Sequence, residues 1–228
     1  MLSVLSLASV VINPPGRSIL VFNLHIYQMK KYYILIILFF IGLISSAISP
    51  HDYFTWMLEV FPAIVGFIIL AFTFKRFRFS YLTYCFILIH CFILFVGGHY
   101  TYAQVPLFNW VRDIFHQSRN NYDKVGHFAQ GFIPAIIIRE IYIRKNIIQK
   151  KSWIPFLTVV VCMAISMCYE FLEWFVSVAS GSSGDSFLGT QGDVWDTQSD
   201  MLFATVGAIC MVLFMSKMQD RNIKAMEA

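Results

Sequence analysis

Between Tyr32 and Met215 the chain alternates runs of roughly twenty apolar residues with short polar loops, and each run matches the length a helix needs to cross a ~30 Å hydrocarbon core. In a bilayer every backbone polar group must be satisfied inside the segment, which makes helices of these runs. Their limits are Tyr32–Ser49, Trp56–Phe74, Tyr81–Tyr100, Val125–Ile143, Trp153–Ala179 and Asp200–Met215. The expected fold is all-α: a polytopic membrane helix bundle of about six transmembrane helices, with residues 29–228 forming a single integral membrane domain. With 58% hydrophobic and only 13% charged residues the composition is too apolar for a soluble domain. The net charge of +4 is small and confined to loops, which excludes a nucleic-acid surface and makes the lipid bilayer the expected partner.

The loops orient the bundle. Lys30 and Lys31, then Lys75, Arg76 and Arg78, then Arg144, Lys145, Lys150 and Lys151, then Lys217, Arg221 and Lys224 occupy alternate loops. The positive-inside rule places all of them, and both termini, in the cytoplasm. Residues 1–28 read as an extension: Leu2 to Ile12 is too short to span, Pro14-Pro15-Gly16 breaks it, and Met29-Lys30-Lys31 looks like a natural start. After Pro106, Leu107, Trp110, Val111, Ile114 and Phe115 recur at helical spacing opposite Asn109, Arg112, Asp113 and His116. This predicts a short helix in the outer loop between spans three and four, either lying in the membrane interface or packed as a loop helix. Cys85, Cys91, Cys162, Cys168 and Cys210 all fall in apolar spans with no Cys-x-x-Cys spacing, so they read as small fillers.

Ionisable residues gather at one depth. Asp123, Lys124 and His127 open span four, with Gln130, Gly131 and Pro134 on the same face. Glu170 and Glu173 share a face in the outer half of span five. The segment from Gly189 to Met201 brings Asp193, Asp196 and Asp200 to the start of span six; a helix from about Asp193 would place the three carboxylates on one face. Each intramembrane charge costs ~2.5–3.5 kcal/mol on insertion scales, so a cluster on one side is informative. Glu170 needs a partner, for which Lys124 and His127 are the cations at hand, and His127 with several carboxylates suits a divalent metal. Spans four, five and six are therefore expected to be neighbours, with His127, Glu170 and Asp196 or Asp200 converging. His127, Glu170, Asp196 and Asp200 are the candidate catalytic or metal-ligating residues, and Asp123, Lys124, Gln130, Glu173 and Asp193 the candidate binding residues. His90 reads as an inter-helix hydrogen-bonder, Glu59 and His99 as interfacial residues at outer span ends that could also join the site, and Arg139 and Glu140 as snorkelling or loop-facing.

The motifs Tyr122-Asp123-Lys124-Val125-Gly126-His127-Phe128-Ala129-Gln130-Gly131-Phe132, Tyr169-Glu170-Phe171-Leu172-Glu173-Trp174 and Gly192-Asp193-Val194-Trp195-Asp196-Thr197-Gln198-Ser199-Asp200-Met201 resemble the YjdF family of bacterial inner-membrane proteins. The resemblance covers most of the chain from about Met29 and implies a multi-pass protein of the bacterial inner membrane, without naming a reaction. A looser similarity, Asp-Lys-x-x-His-Phe opening one helix with acids on later ones, extends to VanZ-like membrane proteins associated with glycopeptide resistance. Three functions stay open: a metal-assisted or acid–base enzyme acting on a lipid-linked or envelope substrate, a ligand-binding or transport protein, and a polar network that only locks helices together. No His-Glu-x-x-His or Gly-x-Ser-x-Gly motif is present to favour the first.

Overall fold

The computed structural model describes residues 15–180 and 190–227. All regular structure among them is helical: α1 (Pro15–Ala47), α2 (Tyr53–Thr73), α3 (Tyr81–His99), α4 (Pro106–Ile114), α5 (Tyr122–Arg144), α6 (Ile154–Ser180), α7 (Asp196–Cys210) and α8 (Ser216–Glu227). A wide turn at Met211–Met215 joins α7 to α8 without ending the helix. α1 begins at Pro15: a proline at the first helical position loses no hydrogen bond there. Residues 1–14 lie outside the described residues. Asp52 and Ser80 cap α2 and α3 by accepting hydrogen bonds from the backbone N–H groups of Thr55 and Thr83.

Among the described residues five helical stretches are long and apolar enough to cross a membrane: Lys30–Ala47, Tyr53–Thr73, Tyr81–His99, Lys151–Ser180 and Asp196–Met226. The protein is thus a polytopic helical membrane protein. α5 has 23 residues, also sufficient by length, but carries Asp123, Lys124, Arg139, Glu140 and Arg144. It is solvated by protein instead of lipid, since α3, α6 and α7 all pack against it.

Two cores hold the bundle. Phe39, Val60, Ala63, Cys91, Leu94 and Phe95 join α1, α2 and α3, and Ala135, Ile136, Cys162, Ala208 and Met211 join α5, α6, α7 and the turn after it. Lipid tails are as apolar as these side chains, so close packing, more than exclusion from water, drives their association. At the α5–α7 crossing the backbones themselves touch. A Cβ on Gly131 would collide with the carbonyl of Ala204, and one on Gly207 with the carbonyl of Phe128.

Arg139 and Glu140 do not snorkel. Glu140 is fully buried and accepts from the backbone N–H of Ser80 (2.7 Å), the hydroxyls of Ser80 (2.8 Å) and Thr83 (2.5 Å), and the guanidinium of Arg144 (3.0 Å). Arg139 donates to Gln219 (2.9 Å) and pairs with Asp220 on α8 (2.8 Å). Hydropathy along one dimension does not tell which face of α5 meets protein, and here both residues face α3 and α8. On α4, Leu107, Trp110, Ile114 and Phe115 are exposed, Trp110 by 62%, so the stripe points away from the bundle instead of packing as a loop helix would.

Candidate functional site

The starts of α5 and α7 meet at one end of the bundle, beside the last turns of α6. The loop entering α5 and the turn entering α7 are clamped together: Asn120 N–H donates to the Gln191 side-chain oxygen (3.1 Å), and the Gln191 amide donates back to the Asn120 carbonyl (2.9 Å). The Asn120 side chain is fully buried, donates to Val105 O and to Asn109 on α4, and accepts from Tyr122 N–H. One asparagine thereby fixes three segments around the site.

The helix of α7 begins at Asp196, not Asp193, so the expected single face of three carboxylates is not formed; Asp193 stays in the preceding turn and accepts from Trp195 N–H. Two cations bind the acids on this side. Arg119 forks between Asp123 and Asp196, with Asp193 at 3.5 Å. Burial works against the charge of Arg119, but the carboxylates of Asp123 and Asp196 outweigh it and hold its pKa above the usual guanidinium value. Lys124 Nζ bridges Asp196 and Asp200 at 2.7 Å each. Lys124 is therefore spent on α7 and does not reach Glu170 as an ion-pair partner.

The neighbouring half of the site is different. His127 Nδ1 donates to Gln130 Oε1 at 3.1 Å, because an amide oxygen only accepts. Its Nε2 then presents a lone pair toward Asp200 Oδ2 at 3.6 Å, too far for a hydrogen bond. Glu170 Oε1 lies 3.7 Å from His127 Nδ1 and is buried without a hydrogen-bond partner. One ligand atom each from His127, Glu170 and Asp200 falls within 4.8 Å of the others. Asp123, Asp196 and Asp200 form a second such group, but Arg119 and Lys124 already occupy it. Asp196, a candidate ligand by sequence, belongs to that neutralised group.

Glu173 is buried one turn beyond Glu170 and contributes no ligand atom to the His127 group. Glu59 is buried too, with Tyr102 hydrogen-bonded to it. His99 contacts the Ser46 carbonyl (3.0 Å) and does not join the site. Arg119, Asn120 and Gln191 were not singled out by the sequence; the spacing of Arg119 four residues before Asp123 was the one signal available.

Residues 31–221 match the family described as "Predicted membrane protein (DUF2238)". Inner membrane protein YjdF of Escherichia coli (strain K12) is 44% identical over 182 residues, covering 80% of this chain and 87% of that protein. No solved structure matches the chain.

Proposed function

The chain belongs to this YjdF-like, DUF2238 family of multi-pass inner-membrane proteins, and on that premise we propose that it binds a divalent cation through His127, Glu170 and Asp200. The cation would serve metal-assisted hydrolysis or group transfer on a lipid-linked or envelope substrate. The observation that carries this is the meeting of one ligand atom each from His127, Glu170 and Asp200 within 4.8 Å of one another, with Glu170 Oε1 buried and without a hydrogen-bond partner. The 3.6 Å between His127 Nε2 and Asp200 Oδ2 is close to the ~3.5 Å ligand–ligand edge of a tetrahedral ion with bonds of ~2.1 Å. One imidazole with two carboxylates is a donor set suited to Zn²⁺ or Mn²⁺. Gln130, by holding the Nδ1 proton, is the outer-shell partner that leaves Nε2 to the metal. A purely helix-locking role fits the Arg119–Lys124 half, where each carboxylate touches a cation, and not the Glu170 half.

The same proposal counts α5 as a sixth span and puts both termini in the cytoplasm, which sets the site at the extracytoplasmic ends of α5, α6 and α7 and α4 in the outer interface. Reporter fusions after Lys151 and Lys224 should read as cytoplasmic and one after Gly184 as external; an external C-terminus would move the site to the wrong side for an envelope substrate.

Metal analysis of the purified full-length protein tests the site. Wild type and Asp193→Asn should bind Zn²⁺ or Mn²⁺ stoichiometrically and gain thermal stability from it, whereas His127→Ala, Glu170→Gln and Asp200→Asn should do neither. Folded wild type that takes up no divalent ion would overturn the proposal.

A further inference from the structure

The end of α5 opposite the metal group is basic, and its cations stand on aromatic rings. Lys31 Nζ lies 5.4 Å from the ring centroid of Tyr32 and 4.8 Å from that of Tyr81. Arg78 Cζ is 5.8 Å from the same Tyr32 ring and 6.0 Å from that of Phe74. Arg144 Cζ and Lys145 Nζ, at the end of α5, share the ring of Phe77 at 4.4 Å and 5.2 Å. The two pairs are joined twice. Arg144 donates to the Arg78 carbonyl at 2.6 Å. The rings between them run unbroken from Phe77 through Phe79 and Tyr84 to Tyr32, with successive centroids 4.9, 6.1 and 5.5 Å apart.

Little acid answers these charges. The chain has no Asp or Glu from 60 to 112 or from 141 to 169, and α1 has none at all. Glu140 is the one carboxylate bonded to the cluster among the described residues, and its oxygens are already taken by Ser80, Thr83 and Arg144. Asp220 is paired with Arg139. The ammonium groups of Lys31 and Lys145 accordingly make no hydrogen bond or ion pair among the described residues, and ring faces alone hold them. An excess of Lys and Arg beside membrane spans orients a protein without regard to where each head points. Here Lys31, Arg78 and Arg144 are half-buried and placed over rings at the border of the spans that begin at Lys30 and Tyr81. Heads positioned in advance escape most of the ordering entropy that a mobile lysine loses on gripping an anion.

We propose that this shelf binds the headgroup phosphate of an anionic phospholipid, with Lys31 and Lys145 supplying ammonium groups and Arg78 and Arg144 the surrounding charge. Phosphate sits at the level where a span meets water, and juxtamembrane Lys and Arg attract it there. The apolar side chains beside the cations point outward: Tyr33 and Ile34 next to Lys31, Phe72 before the α2–α3 loop, and Ile147 after Lys145 are all exposed. Acyl chains attached to the bound phosphate would lie along them, which a free phosphate ion cannot do. Lys145 is itself exposed, so a lipid reaches it without displacing a helix. Neither the metal group nor its ligands take part.

The test follows thermal unfolding of delipidated full-length protein in an uncharged detergent, at fixed ionic strength, during addition of phosphatidylglycerol, phosphatidylethanolamine or inorganic phosphate. Wild type should reach half its stabilisation at about tenfold lower phosphatidylglycerol than phosphatidylethanolamine. Lys31→Gln/Lys145→Gln should raise the phosphatidylglycerol concentration needed by about tenfold. Lys75→Gln/Arg76→Gln removes the same charge from exposed side chains of the α2–α3 loop and should raise it by less than about threefold. Where the first double variant does not fold, Lys145→Gln alone should raise it by about threefold, against no change for Lys75→Gln. Equal losses from the ring-held and the exposed cations would mean diffuse attraction to any anionic surface, and overturn the site. Wild type that does not prefer phosphatidylglycerol overturns it without need of a variant. So does inorganic phosphate acting at the same concentrations as phosphatidylglycerol, since the ligand would then be a soluble anion.

Discussion

The two ends of α5 each carry a buried glutamate close by, and their hydrogen-bond accounts are opposite. Glu140, on α5 itself, accepts four hydrogen bonds, from Ser80 twice, Thr83 and Arg144, and in doing so caps the start of α3. Glu170, which α6 lays against the other end, leaves Oε1 with none. Burial alone would have ranked the two alike. A carboxylate whose acceptor capacity is filled by its own chain holds helices together; Glu170, with Thr197 on its side chain and nothing on Oε1, is only partly filled in the same dielectric.

Breaking the filled end should have the largest effect. Glu140→Ala strands the Ser80 and Thr83 donors and the Arg144 charge, at a cost of about 3–5 kcal/mol, read by chemical or thermal unfolding in detergent. A tolerated Glu140→Ala would mean that a filled account says nothing about stability. Next comes Lys124→Met, which unpairs Asp200 and half of Asp196 and should cost about 2–3 kcal/mol; adding Asp200→Asn should restore part of the loss, and a double variant no better than the single would deny the pairing. A half-buried carboxylate calibrates the scale. Asp52→Ala removes the cap of α2 and should cost ~1 kcal/mol. The hydrogen bonds from Thr55 hold the Asp52 pKa below the usual carboxylate value, so its contribution is complete above about pH 4 and fades as pH falls through the folded value. Asp52→Ala should therefore flatten the acid limb of the stability profile; an unchanged limb would contradict the cap. The smallest change belongs to the open end. Glu170→Gln in metal-free protein should shift stability by no more than ~1 kcal/mol, in the stabilising direction, since it removes an uncompensated buried charge. A loss comparable to that of Glu140→Ala would erase the difference between the two ends.

The sequence was legible where one dimension suffices. Apolar runs located the middle helices to within a few residues but missed that α1 starts at Pro15 and that the last helix runs on to Glu227, and spacing along α5, α6 and α7 singled out the residues that meet. What it hid was pairing in space. Lys124 looked as available to Glu170 as to α7, and only the close α5–α7 crossing decides for Asp196 and Asp200. Arg119 and Asn120 sit in a polar loop without periodicity, where a buried clamp and a solvated turn read the same. Glu140 and Arg139 looked like helix-end residues because hydropathy does not show whether a helix faces lipid or protein. The small residues Gly126, Ala129, Gly131 and Ala135 along α5 were the available sign that it is enclosed.

The backbone contact between α5 and α7 also decides how the site is held. With the Gly131 and Gly207 surfaces in direct contact, there is no layer of side chains between the two helices to shear or repack, and they behave as one fixed jaw carrying His127, Lys124, Asp196 and Asp200. Glu170 comes from α6, and its side chain is hydrogen-bonded by Thr197 of α7, so all three helices are joined at the site while Glu170 Oε1 alone stays open.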